Sequence, residues 1–163
     1  MIIRKIALVL LPFLSIIFFN GCSNEAKSNK EYTVMIPNPF VYVSSMDEAA
    51  AGAGFEFICP HSVDGYSKRE ISYIKNELFQ VVFSGGNKKL YLRKAIGNND
   101  ISGDYRIYNK THNSKFGTYD ITLKGRDDGF CVAIWSHANF SYAVTSDSPL
   151  SEEQIYFFVN NMK

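Results

Sequence analysis

Apolar and polar positions divide the 163-residue chain into three stretches of different character. Residues 6–19 form an uncharged run, with only Pro12 and Ser15 interrupting its apolar side chains. The run is shorter than the ~20 residues that a spanning helix needs. Residues 23–38 are rich in Glu, Lys, Asn and Ser, the composition of a flexible tether. From Phe40 onward, apolar residues recur at the spacings of regular structure. Ser45-Met46-Asp47-Glu48 places an N-cap serine three residues before a glutamate. Met46, Ala49, Ala50 and Ala53 then share one face of a short helix, and Gly54 stops it.

Strand patterns follow. Residues 55–59 are apolar and are held extended by Pro60. Residues 71–74, 78–83 and 89–95 are separated by Lys75-Asn76-Glu77 and Ser84-Gly85-Gly86-Asn87, both of hairpin length. Residues 97–104 are polar and without periodicity. Residues 115–123, 130–136 and 140–145 are three further strands, joined through Arg126-Asp127-Asp128-Gly129 and His137-Ala138-Asn139. Short connections of this kind imply antiparallel pairing. The last element is a helix, with Ser151 as N-cap, Gln154 at N3, and a staple between Leu150 and Ile155. Ile155, Phe158, Val159 and Met162 form its apolar stripe, which must cover a sheet face. The expected fold is α+β: a curved antiparallel sheet of six or seven strands, packed by a short N-terminal helix and a C-terminal amphipathic helix. No internal repeat is visible.

Charge sharpens the picture at the amino end. Arg4 and Lys5 precede the apolar run, and Asn20-Gly21-Cys22 closes it, the layout of a secretory signal. A charged start, an apolar run of fourteen residues and a Gly-Cys pair resemble the lipobox of bacterial lipoproteins. Phe19 and Asn20 stand where that family prefers Leu and a small residue. The resemblance implies cleavage between Gly21 and Cys22 and acylation of the Cys22 thiol by chains such as palmitate. It places the protein on the outer face of the cell membrane, held there by lipid. The alternative is an ordinary secretory signal that contains a cysteine. The expected organisation is a signal peptide over residues 1–21, a lipidated cysteine and tether over 22–37, and one domain over 38–163.

Without residues 1–21 the 17 Lys and Arg fall to 15, against 16 Asp and Glu. Such a balance offers no basic face to nucleic acid. Ten Tyr and thirteen Phe supply apolar surface for a core. With Cys22 acylated, Cys59 and Cys131 remain. They lack CxxC spacing, which argues against a zinc or thioredoxin-type site. Outside the cytoplasm they are candidates for a disulfide, with two separate buried thiols as the alternative.

A second resemblance covers residues 38–163. Asn38-Pro39-Phe40-Val41, Gly65-Tyr66, Arg93-Lys94-Ala95, Ile101-Ser102-Gly103-Asp104-Tyr105 and Ala133-Ile134-Trp135 resemble a domain-of-unknown-function family of small Gram-positive lipoproteins. Related domains form the outer part of some anti-sigma factors. The resemblance implies a fold and a location and brings no catalytic residues with it.

Candidate chemistry is sparse. No Gly-x-Ser-x-Gly elbow occurs, and His61, His112 and His137 fall in separate loops or turns. Asn98, Asn99, Asp100, Ser102 and Asp104 gather oxygen atoms that suit calcium, but without EF-hand spacing they read as a turn. No metal or other cofactor is expected. The tyrosines are the more suggestive feature, because aromatic faces on strands suit glycan, peptide or lipid ligands. Tyr91 and Arg93 share a strand face and are the first candidates for a ligand surface. The expectation is a non-catalytic ligand-binding or envelope-sensing domain, whose partners are the membrane and a glycan, peptide or envelope protein. An envelope hydrolase or a carrier of amphiphiles is the alternative.

Overall fold

A computed structural model describes residues Pro37–Lys163, which form one compact unit. The expected signal, the Gly21-Cys22 junction and nearly all of the tether lie outside these residues. Among those described, no helix is long and apolar enough to cross a membrane.

The elements run β1 (Val41–Val43), α1 (Met46–Ala53), β2 (Lys68–Ile74), β3 (Leu78–Gly85), β4 (Lys88–Ile96), β5 (Lys110–Phe116), β6 (Tyr119–Arg126), β7 (Gly129–His137), β8 (Phe140–Leu150) and α2 (Glu152–Asn161). The strands make one antiparallel sheet in the order β1-β2-β3-β4-β8-β7-β6-β5. Two four-stranded halves therefore meet along β4 and β8, the β5–β8 half a meander and the β1–β4 half interrupted by α1 between β1 and β2.

The α+β class stands, but the described residues contain eight strands rather than six or seven. Residues 55–59 are not a strand. They run beside the C-terminus, where Ile58 exchanges backbone hydrogen bonds with Lys163 while Phe57 is buried. Residues 115–123 are two strands, not one. Gly117, with φ of 58°, turns the chain between Phe116 and Tyr119, a conformation that glycine adopts at little cost. β1 escapes the pattern because three residues are too few to show alternation.

Both helices form as their ends dictate. Ser45 Oγ accepts from Glu48 N at 3.2 Å, while the Glu48 carboxylate reaches one residue further back, to Ser44 N. At α2 the capping box closes on both sides: Gln154 N donates to Ser151 Oγ and Ser151 N donates to Gln154 Oε1. Ala49 and Ala53 have no exposed surface, so α1 lies close against β2 and β3. Ile155, Phe158, Val159 and Met162 are all buried, as their spacing requires.

One core lies under both helices. Phe79, Val81 and Phe83 of β3, Leu90 and Leu92 of β4, Ile121 and Leu123 of β6, and Val144 of β8 meet the helix stripes there. These are alternate residues, which face the same way along a strand. The intervening residues look the other way, onto a second face that no helix among the described residues covers.

Cys59 and Cys131 are free thiols. Cys59 packs at the edge of the helix-side core. Cys131 is buried at the β7 bulge, beside Arg106 and Tyr108 on the opposite face. The sheet stands between them, so the disulfide expected as one reading of the sequence does not form.

Candidate functional site

The face without a helix is covered by residues 97–109, an irregular strap connecting β4 to β5. Register explains how it is held. Ser72, Gln80 and Arg93 are cross-strand partners on β2, β3 and β4. Gln80 Nε2 donates to Ser72 Oγ at 3.1 Å, and Arg93 Nε donates to Gln80 Oε1 at 2.8 Å. The guanidinium then donates through Nη1 to the carbonyls of Ile101 and Ser102. Thr145 Oγ1 donates to the same Ser102 carbonyl at 3.0 Å. Gly103 has φ of 62°, and a Cβ there would fall on the Arg93 guanidinium. The Ile101–Tyr105 run is therefore shaped around one arginine.

Further along, Asp104 accepts from Arg106 at 2.6 Å and from the Tyr108 hydroxyl at 2.6 Å. Burial works to raise the Asp104 pKa, but the hydrogen bonds from Arg106 and Tyr108 outweigh it and hold the carboxyl at about 2. Burial and the neighbouring carboxylate push the Tyr108 hydroxyl up. Asp100 accepts from Ser102 N and from Lys124 Nζ. These carboxylates bind amides and cations of their own chain, the turn chemistry that the sequence suggested for this stretch.

Tyr91 and Arg93 do share this face, with the guanidinium 5.3 Å from the tyrosine ring. Arg93 is already committed to the strap, and burial lowers its pKa. The hollow beside them, about 530 Å³, is shallow and is edged by Tyr105, Arg106 and Asp147. Its best-placed cation is engaged by backbone, which makes this a structural lock more than a receptor.

A better-formed cleft lies on the helix side, at the N-terminal end of α2. Its volume of about 390 Å³ falls within the range of small-molecule sites. Leu90, Leu150 and Phe158, each at most 8 % exposed, form the floor. Val63 and Tyr66, from the segment before β2, form one wall, and Phe157, 49 % exposed, forms the other. Asp64 and Lys88 stand at the rim, with Lys88 Nζ 4.9 Å from the Tyr66 ring. Ser62, Ser148 and Gln154 also line the cleft, so apolar and polar surface meet in one trough. That mixture suits an amphiphile: the body is desolvated on the apolar floor and the head keeps polar partners. Sequence reasoning missed this cleft because three distant stretches, residues 62–66, 88–90 and 148–158, build it. The half-exposed Phe157, off the buried stripe of α2, was the one local sign.

Two other clusters lie on the helix side. Lys94, the neighbour of Arg93 on β4, points the opposite way and is 8 % exposed. Its Nζ donates to the Glu56 carbonyl at 2.7 Å and lies 4.4 Å from the Phe140 ring, with burial lowering its pKa. Arg69 on β2 contacts Met46, Cys59 and His61, and its Nε is buried without a partner. An unsatisfied donor of this kind costs about 1–3 kcal/mol. Burial raises the Cys59 pKa, against the opposing pull of Arg69. His112 is exposed on the edge strand β5, and His137 packs edge-on against Tyr119. The three histidines are not brought together. Among the described residues, no three His, Cys, Asp or Glu side chains converge as a metal site.

Protein-family models, curated proteins and solved structures yield no match to this chain.

Proposed function

We propose that the protein is a lipid-anchored extracytoplasmic binding protein, non-catalytic, whose site is the cleft at the end of α2. The cleft itself carries the proposal: a 390 Å³ trough with an apolar floor, aromatic walls and a charged rim. It favours a small amphiphile, whose apolar body would rest on Leu90, Leu150 and Phe158 while its head meets Lys88, Ser148 and Gln154. The Gly21-Cys22 junction supports attachment to the membrane, and Cys22→Ala should abolish both fatty-acid labelling and partitioning into detergent.

Binding is tested by titrating the protein with a dansyl-labelled fatty acid and following its fluorescence. Phe157→Ala removes an exposed wall without opening the core, and it should weaken binding about tenfold, the worth of ~1.4 kcal/mol of lost burial. Tyr66→Ala should act likewise, while Tyr91→Ala on the other face should change nothing. Equal affinity in wild type, Phe157→Ala and Tyr66→Ala would remove the cleft from consideration. Turnover of an ester or glycan substrate by the wild-type protein would instead favour an envelope hydrolase.

A further inference from the structure

We propose that Met46, Cys59 and His61 form a binding site for one soft monovalent cation, Cu(I), at the position where the Arg69 guanidinium now lies. Three sequence positions supply the donors. Met46 is the first residue of α1. Cys59 and His61 flank Pro60, and both side chains turn toward Arg69. All three reach one guanidinium: Arg69 Nη2 is 3.1 Å from Met46 Sδ and 3.9 Å from Cys59 Sγ, and Nη1 is 3.5 Å from His61 Nδ1.

This is an unusual setting for an arginine. None of the ion pairs among the described residues includes Arg69. Its guanidinium meets two weak sulfur acceptors, the His61 ring nitrogen at 3.5 Å and the Phe83 ring at 6.0 Å, and its buried Nε has no partner among the described residues. The surrounding atoms thus present lone pairs to a cation while leaving one buried N–H of the cation in place unsatisfied. Thioether, thiolate and imidazole together are the donor set that Cu(I) prefers. Zinc takes thiolate and imidazole but has little use for a thioether, and calcium or magnesium require oxygen. Met46, Cys59 and Arg69 are half-buried and His61 is exposed, so the long Arg69 side chain can swing out to solvent as the metal enters. On binding, a Cu–S bond replaces the S–H bond of Cys59 and the proton passes to water. Copper arrives and remains as Cu(I), so no electron is transferred.

The test uses the full chain in detergent, in a Cys22→Ser background, with Cu(I) competed anaerobically against bicinchoninate. Silver(I) serves as a stand-in that cannot change oxidation state. The wild-type site should withhold one equivalent of metal. Cys59→Ser should lose more affinity than the roughly 10–100-fold that supporting residues typically contribute. Met46→Leu and His61→Ala should each weaken binding about tenfold or more, and Cys131→Ser should leave it unchanged. Arg69→Gln, which removes the competing cation, should tighten it. Complete stripping of the metal by the chelator overturns the proposal. So does equal loss in Cys59→Ser and Cys131→Ser, or full affinity without Met46 and His61, since either would mean that a bare thiol binds the metal. A weaker site in Arg69→Gln would show that the guanidinium supports the donors instead of yielding to the metal. Circular dichroism of each variant separates lost ligands from lost folding.

Discussion

The two faces of the sheet solve the same problem in opposite ways. On one, helices α1 and α2 lay apolar stripes over apolar strands, and the covering is held by area. On the other, the strap of residues 97–109 has no regular structure and leaves Tyr105 and Ile107 almost fully exposed. It is held at points: by Arg93, Thr145, Lys124 and the Asp104 cluster. Adjacent residues of β4 show both styles at once. Arg93 clamps the strap, while Lys94 clamps residues 55–59 on the helix side, where aromatic rings share the task. Area is tolerant of small changes because each atom contributes little. A point anchor is not, because removing it strands every group it satisfied.

Phe158→Ala should be the most damaging single change, costing about 3–5 kcal/mol as a buried ring is emptied. A melting temperature within a degree or two of wild type would mean that α2 does not seal the core. Arg93→Met comes next, at about 2–4 kcal/mol, because Gln80 and the Ile101 and Ser102 carbonyls lose a charged donor. Hydrogen exchange should then rise across residues 97–109 before it rises elsewhere. Arg93→Lys should recover little, since one ammonium cannot reproduce the forked geometry. If exchange in the strap stays at the wild-type level, the lock lies elsewhere.

Lys94→Met should cost less, about 1 kcal/mol, because a methionine keeps the apolar contacts with the surrounding rings and only the Glu56 carbonyl loses its donor. A loss as large as that of Arg93→Met would erase the distinction between the two faces. The smallest effect is expected in acid. The Asp104 carboxyl is held at about 2, below its ordinary 3.8, so its contribution to stability is complete at neutral pH. It fades as pH falls from about 4 towards 2. Melts across that window should show a shallower decline for Asp104→Asn than for wild type, and parallel curves would assign the acid sensitivity to other carboxylates.

The same contrast governs what the sequence reveals. The α2 stripe, its capping box and its staple are all local, so the run from Leu150 to Met162 is legible from its own residues. The strap announces only its polarity. Its anchors sit on β4, β6 and β8, and no spacing rule links Arg93 to Ser102 or Asp100 to Lys124. Alternation puts Tyr91 and Arg93 on one face, where they lie, but a free guanidinium and a committed one look identical in sequence. The hairpin at Gly117 is hidden by continuity, since Phe116 and Tyr119 both suit a strand and the turn between them is two residues long. Candidate sites suffer most. The cleft at α2 joins residues from Ser62 to Phe158, and the Arg69 cluster joins Met46 to His61 across a strand.

The strand order also carries a kinetic consequence. Within the two halves every strand pair except β1–β2 is a hairpin of neighbours in sequence, whereas the β4–β8 seam joins residues such as Leu92 and Val144. Local hairpins close within microseconds, but the seam must first close a long loop, and such non-local pairing slows folding. The chain should therefore assemble as two half-sheets that zip together late, each exposing an unpaired central edge until it finds the other. While they stay open, those edges are the molecule's moment of greatest exposure to aggregation. Substitutions along β4 or β8 that slow the zipping should lower yield even where they leave the melting temperature of the finished protein unchanged.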